Sequence, residues 1–168
     1  DLATHFYRTA RVREGATLQQ ITSELRTAFG LSVTVVPMSN DSVRTIVHLE
    51  DGPVPFQEYF VRLQHNVPVT RVEFVGAESA AFIDHSLLTD AETIVIAPSN
   101  PIVSIAPIRA LAGVDATLAA RRDSVVAISP IVAGAALKGP ADRMLVELGH
   151  EPTVVGVARI YAPICGTL

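Results

Sequence analysis

Thr93-Ile94-Val95-Ile96-Ala97-Pro98-Ser99-Asn100-Pro101 and, further on, Ser124-Val125-Val126-Ala127-Ile128-Ser129-Pro130 decide how this chain is read. Each holds an apolar run of strand length that stops at a proline. Residues 105–122, between them, have helical spacing with a break near Gly113. Two short apolar strands joined through a helix imply a parallel βαβ unit covered on both faces. Downstream, residues 140–148 form a helix, with Gly149 as its stop. Residues 154–160 are open: a strand, or the start of a helix ended by Pro163.

Upstream the patterns are mixed. Residues 2–12 read as a helix. Thr17 and Gln20 form a capping box, followed by Leu18, Ile21, Leu25 and Ala28 at helical spacing and by Gly30 at the stop. Leu31, Val33 and Val35 alternate as in a half-buried strand. Residues 43–49 read as another strand and Asp51-Gly52-Pro53 as a turn. Pro55 suits a helix start, with Phe56, Tyr59, Phe60 and Leu63 along one face. Residues 67–75 are β-rich, and residues 79–88 suggest a short helix. The fold class is therefore α/β, a doubly wound parallel sheet with an inserted mixed α/β subdomain. Residues 1–13 are assigned to a core helix, 14–78 to the insertion and 79–168 to the core.

Composition narrows the function classes. Charged residues are 18% and hydrophobic residues 49%, a globular balance. The net charge of −4 leaves no electrostatic footprint for nucleic acid. No apolar run reaches membrane-spanning length, so neither nucleic acid nor membrane is an expected partner. Cys165 is the single cysteine, which excludes an internal disulfide and fits a reducing, cytoplasmic compartment.

In parallel α/β sheets, ligands bind beyond the carboxyl ends of the strands. Two loops leave such ends. Residues 97–105 carry Ser99, Asn100 and Ser104 into a helix, where backbone N–H groups and the helix dipole attract anions. The same residues can instead cap that helix. Residues 129–140 carry Gly134, Lys138 and Gly139 into the next helix. Glycine permits close approach to a ligand and lysine adds positive charge, while Asp142 already places negative charge in that first turn. Together the two loops suit a diphosphate. The five histidines have no metal-ligand spacing. Phe56, Tyr59 and Phe60 read as core more readily than as a stacking platform.

Ser99-Asn100-Pro101-Ile102-Val103-Ser104-Ile105 with Pro107-Ile108 resembles the signature of 2-phospho-L-lactate transferases. Ser129-Pro130-Ile131-Val132 with Leu137-Lys138-Gly139-Pro140-Ala141-Asp142 does so too. Asp1-Leu2-Ala3-Thr4-His5, Pro37-Met38-Ser39-Asn40-Asp41 and Phe56-Gln57-Glu58-Tyr59-Phe60-Val61 are similar to further blocks, in wording close to the actinobacterial phosphoenolpyruvate transferase branch. The resemblance covers nearly the whole chain. It implies a Rossmann-like core and a cytoplasmic enzyme of coenzyme F-420 biosynthesis. Such an enzyme moves a 2-phospholactyl or phosphoenolpyruvyl group from a diphosphoguanosine donor to the deazaflavin Fo, with magnesium, releasing GMP (EC 2.7.8 class). It further implies that Ser99, Asn100, Pro101, Ser104, Lys138 and Gly139 hold the donor. Asp1, Thr4 and His5 would lie near the reacting centre, and Met38 and Asp41 would wall the acceptor pocket. Homodimerisation is a family expectation.

The family's opening Gly-rich loop and acidic metal-binding residues have no counterpart here. The chain is thus expected to be a fragment lacking an N-terminal part, inactive alone, with its metal ligands outside it. The rival reading is a non-catalytic nucleotide-sugar-binding regulator of the related gluconeogenesis-factor branch. The Ser-Asn-Pro-Ile run at Ser99 favours the transferase. A dinucleotide oxidoreductase would show Gly-x-Gly-x-x-Gly after a strand, and none is present.

Overall fold

A computed structural model describes residues 2–133, 135–136 and 139–168. The chain opens with α1 (Leu2–Arg13) and α2 (Leu18–Ala28). The capping box forms as the sequence predicts. Thr17 Oγ1 accepts from the Gln20 N–H at 3.2 Å, and Gln20 Oε1 accepts from the Thr17 N–H at 2.8 Å. At the other end Gly30 takes φ +65°, and its N–H and that of Leu31 close on the carbonyls of Thr27 and Arg26. This is a Schellman stop. α1 buries no residue and is held to α2 by polar contacts. Arg11 reaches Glu24 with two hydrogen bonds of 2.8 and 3.0 Å, and the Tyr7 hydroxyl donates to the same carboxylate at 2.8 Å.

β1 (Arg44–Leu49), β2 (Gly52–Pro55) and β3 (Arg71–Val75) form an antiparallel sheet in the order β2-β1-β3. Between β2 and β3 lies a π-helical turn, Glu58–Arg62. Pro55 ends β2, and the helical turn begins directly after it. Val47, Leu49, Tyr59, Val69 and Met144 bury one face of this unit. Then come α3 (Ser86–Thr89), β4 (Ile94–Ile96), a second π-helical turn (Pro101–Ile105), α4 (Ala106–Arg109) and α5 (Val114–Ala120). β5 (Val125–Ala127) pairs in parallel with β4, as expected of a βαβ crossover, and Thr167 adds a parallel bridge to Val126. Gly113, at φ +79°, breaks the helical stretch where the sequence places the break, and Arg109 spans the bend with a bidentate pair to Asp115. β6 (Ile131–Val132), β7 (Ala135–Ala136), α6 (Ala141–Glu147) and α7 (Val154–Tyr161) complete the chain. The residues after Pro152 are thus a helix, capped by Thr153.

Three expectations are corrected. Residues 31–35 form no strand: Leu31, Val33 and Val35 are 46%, 62% and 41% exposed, and their alternation meets no partner strand among the described residues. Residues 79–85 form no helix, because their backbone donors are used elsewhere. The Ala81 N–H goes to Asp41 Oδ2 (2.9 Å) and the Ile83 N–H to the Met38 carbonyl (2.9 Å), so only Ser86–Thr89 turns helical. Among the described residues, the apolar strands are covered on one face only. Val95 and Ile128 stand 59% and 48% exposed, while Ile96, Val125 and Ala127 pack into the main core with Leu111, Leu145 and Val157. No single helix among the described residues is long and apolar enough to cross a membrane.

Candidate active-site cleft

The carboxyl end of β4 opens into a cleft of about 1060 Å³. That is at the upper end of what one small ligand occupies. One wall is the segment from Pro98 to Ser104, and the floor is Pro130, Gly139 and Ala141. A second wall is Phe56, Gln57, Phe60 and Val61, and His5 of α1 also lines the cleft. Both π-helical turns of the described chain therefore face the same space. Such turns are rare and cluster at functional sites.

The first wall is shaped by two prolines and an asparagine. Pro101 begins the turn, where its missing N–H costs nothing. Pro107 has no N–H for the carbonyls one turn back, which favours the wider turn. The Ile105 N–H accordingly reaches the Asn100 carbonyl at 3.2 Å, five residues back. Asn100 Oδ1 accepts from the N–H groups of Ile102 (2.8 Å) and Val103 (3.3 Å), and its Nδ2 lies 3.8 Å from Met144 Sδ in α6. Asn100 is thus the cap of this helix. The N–H groups of residues 102–105 are all bound within the loop, so this helix start has no free backbone donors for an anion there. What the wall offers a ligand is the side-chain polarity of Ser99 and Ser104.

The second loop follows a strand and enters a helix as the sequence predicts, and between them it folds back as the antiparallel pair β6–β7, with Ile131 opposite Ala136 and Ala133 at φ +52°. The Ser129 hydroxyl stabilises its entry by accepting from the Ile131 N–H at 3.1 Å. Gly139 has φ +71°, a conformation that disfavours any side chain. The Phe60 ring stands within 4.0 Å of where a Cβ would project from it.

The aromatic wall is fastened to α6. Arg143 donates to the His65 carbonyl at 2.9 Å and pairs with Glu147, whose other oxygen accepts from the Val69 N–H at 2.9 Å. Tyr59 is fully buried beneath the wall, and burial raises the pKa of its hydroxyl. Phe60, one residue on, is 38% exposed and faces the cleft. The core reading thus holds for Tyr59 and fails for Phe60, because the widened turn sends adjacent side chains to opposite sides.

Among the residues the sequence singled out, His5, Ser99, Asn100, Ser104 and Gly139 meet in this cleft. Pro101 is buried behind it and Thr4 is half-buried in α1. Asp1, Lys138 and Gly134 lie outside the described residues. Met38 and Asp41 do not line the cleft. Met38 packs against the main core, and the Asp41 carboxylate accepts from Ala81. The loop between them also caps α2, where Asn40 Oδ1 accepts from the Gln19 N–H at 2.9 Å. The sequence reading set Phe60 aside as core and gave Gln57 no role, and it did not single out Arg143 and Glu147. The only signal for the last two was an ordinary i,i+4 pair.

No described cleft residue is a carboxylate, and no three described His, Cys, Asp or Glu side chains are grouped to hold a metal. The residues in hand do not form a site for the magnesium that the resemblance implies. Among the described residues, then, the lining carries no negative charge to repel an anionic ligand.

The site and fold together describe an α/β protein with a cleft beyond its parallel strands, one wall polar and the other aromatic. Comparison with known proteins identifies its kin. The chain matches the family described as 2-phospho-L-lactate transferase CofD over residues 1–162, and it belongs to that family. It is 40% identical over 161 residues to the 2-phospho-L-lactate transferase of Haloarcula marismortui, covering 96% of this chain and 48% of that protein. It is 37% identical over 175 residues to the phosphoenolpyruvate transferase of Mycobacterium ulcerans, covering 99% and 53%. The chain thus spans about half the length of the curated relatives it matches. A crystal structure of a Bacillus halodurans protein shares the fold, with a TM-score of 0.61 at 18% identity over 92% of this chain and 48% of the other.

Proposed function

We propose that this chain provides the substrate cleft of a transferase in coenzyme F-420 biosynthesis. It would move a 2-phospholactyl or phosphoenolpyruvyl group from a diphosphoguanosine donor to Fo. The single observation that carries the reading is the meeting of Ser99, Ser104, Gly139 and His5 around one cleft, with no carboxylate among its described lining residues, in a member of this family. The relatives' names supply the group transferred.

In this reaction a ribityl hydroxyl oxygen of Fo attacks the phosphorus that bears the three-carbon group. The P–O bond to the guanylate breaks, and GMP leaves with the bonding electrons. Such a transfer needs alignment and charge neutralisation more than a covalent nucleophile. Ser99 and Ser104 donate to the phosphate oxygens, and Asn100 holds the loop that carries them. His5 is the one titratable side chain among the described lining residues, and in this reading it takes the hydroxyl proton. The described residues give magnesium no ligand set, and no step is routed through it.

The test is turnover of enolpyruvyl and lactyl diphosphoguanosine with Fo by the full-length protein in magnesium, following GMP and the deazaflavin product together. Ser104→Ala and Lys138→Ala are expected to lower kcat/KM for the donor at least tenfold, and His5→Ala to lower kcat. A folded, nucleotide-binding protein that turns over neither donor would overturn the transferase reading and leave a nucleotide-binding regulator.

A further inference from the structure

The segment that carries Gln57, Phe60 and Val61 to the cleft runs on into a turn that its own sequence disfavours. Leu63-Gln64-His65-Asn66 is closed by the Asn66 N–H on the Leu63 carbonyl at 3.0 Å, with Gln64 at φ +49° and His65 at φ +46°. Positive φ at both central residues is the mirror-image turn, which favours glycine, asparagine or aspartate. Among the described residues three others than glycine have positive φ, and two of them sit side by side here. Such residues cost free energy and persist only where their surroundings over-determine them.

The surroundings come in part from far along the chain. The His65 N–H donates to the carbonyl of buried Tyr59 at 3.0 Å, and the Arg143 guanidinium donates to the His65 carbonyl at 2.9 Å. Arg143 is itself paired with Glu147, whose other oxygen takes the Val69 N–H. α6 therefore grips this segment twice, at His65 and at Val69. The same helix begins at the cleft floor with Ala141, two residues before Arg143. The His65 ring in turn packs on Phe60, with centroids 5.3 Å apart.

We infer that Arg143 is a positioning residue for the cleft: by holding Gln64 and His65 in the left-handed turn, it fixes the wall at Phe60 relative to the floor at Ala141. This rests on the function proposed above and adds the residue that sets the working shape of its site. Arg143 does not itself line the cleft. An arginine suits the task because one rigid fork serves two acceptors, the His65 carbonyl through Nη1 and the Glu147 carboxylate through Nε. Released, the turn would relax toward the negative φ that glutamine and histidine prefer, and the wall would shift with it. Transfer between two bound substrates is sensitive to a shift of that kind.

The test uses the full-length protein. It combines turnover of the diphosphoguanosine donors with Fo, GDP binding by calorimetry, and fluorine NMR of a fluorinated phenylalanine at position 60. Arg143→Met keeps the apolar stem and is expected to lower kcat about tenfold or more, because alignment and not ligand contact is lost. It should also shift or broaden the fluorine signal, while GDP affinity stays near that of the parent. Arg143→Lys keeps a donor and the charge beside Glu147 and should lose less. Gln64→Asn supplies a residue that tolerates the left-handed conformation. In the Arg143→Met background it should restore most of the kcat and the parent signal, although it adds no contact to the cleft. An arginine that merely stabilises the fold would leave kcat and signal intact wherever the variant stays folded. An active parent whose Arg143→Met variant keeps both would overturn the positioning role and leave the transferase standing. A loss that Gln64→Asn does not repair would overturn it as well, since the strained turn would not be what Arg143 holds. A parent that binds GDP but turns over neither donor would remove the transferase reading. The fluorine signal then decides: unmoved in Arg143→Met, it overturns the positioning, and moved but repaired by Gln64→Asn, it supports it.

Discussion

The two walls of the cleft are built by opposite means. The wall at Asn100 is organised by hydrogen bonds that close within a few residues, from a side-chain oxygen to two backbone N–H groups and from a carbonyl to the widened turn. The wall at Phe60 is organised by packing and by contacts from far along the chain, with Tyr59 buried below and Arg143 and Glu147 clamping it from α6. A locally closed loop keeps its shape through one residue, whereas a wall held from a distance depends on the element that holds it. Met144 belongs to both: it is fully buried under the antiparallel unit and touches Asn100 through its sulfur.

The point that the two walls share is the most sensitive. Met144→Ala should cost about 2–5 kcal/mol, because it opens a cavity where both walls rest, and thermal or urea unfolding would show it. A loss under about 1 kcal/mol would mean that the walls do not share this support. Glu147→Gln tests the distant clamp. It weakens the charge-assisted bonds to Arg143 and the Val69 N–H, and a loss of about 1–2 kcal/mol is expected, with faster hydrogen exchange around Val69. Asn100→Ala tests the local wall, at about 1 kcal/mol for a lost cap, with any loss of activity following the loop and not a missing ligand contact. Asn100→Asp keeps the accepting oxygen and should restore the stability. Gly139→Ala should cost about 1 kcal/mol from its positive φ alone.

The smallest effect belongs to the α1–α2 pair, which lies outside either packed core. Hydrogen bonds from Arg11, then from Tyr7, hold the Glu24 carboxyl below the ordinary glutamate value. A carboxylate whose folded value is depressed contributes stability above its unfolded value and loses it as pH falls through the folded one. Acidification below the ordinary glutamate range should therefore loosen α1 first, seen as a small loss of helical circular dichroism. The pair is partly exposed, so salt should weaken it too. Retention of α1 helicity in both acid and high salt would show that the pair does not hold it.

Much of the chain was legible beforehand where the signal is local. The Thr17–Gln20 capping box, the stops at Gly30 and Gly149, the break at Gly113 and the parallel pair around Val95 and Val126 all follow from a few adjacent residues. The misses share one cause. Leu31, Val33 and Val35 alternate correctly for a strand, yet a strand needs a partner that the alternation cannot supply. Residues 79–85 have helical composition, but Asp41 and Met38, forty residues away in the chain, take their donors. Asn100 looked like a ligand group because its polarity is visible in sequence, while its commitment to the cap is visible only in three dimensions.

By itself, the sequence determined the family, the α/β class, the order of most elements and the two loops around which the cleft forms. These rest on turns, caps and hydrophobic periods that close over a few residues. Only the tertiary structure decided which polar atoms are already spent, that Phe60 faces the cleft while Tyr59 is buried, and that Met38 and Asp41 join the scaffold. Whether a group is free to meet a ligand depends on what distant parts of the chain bring against it, and no local pattern records that.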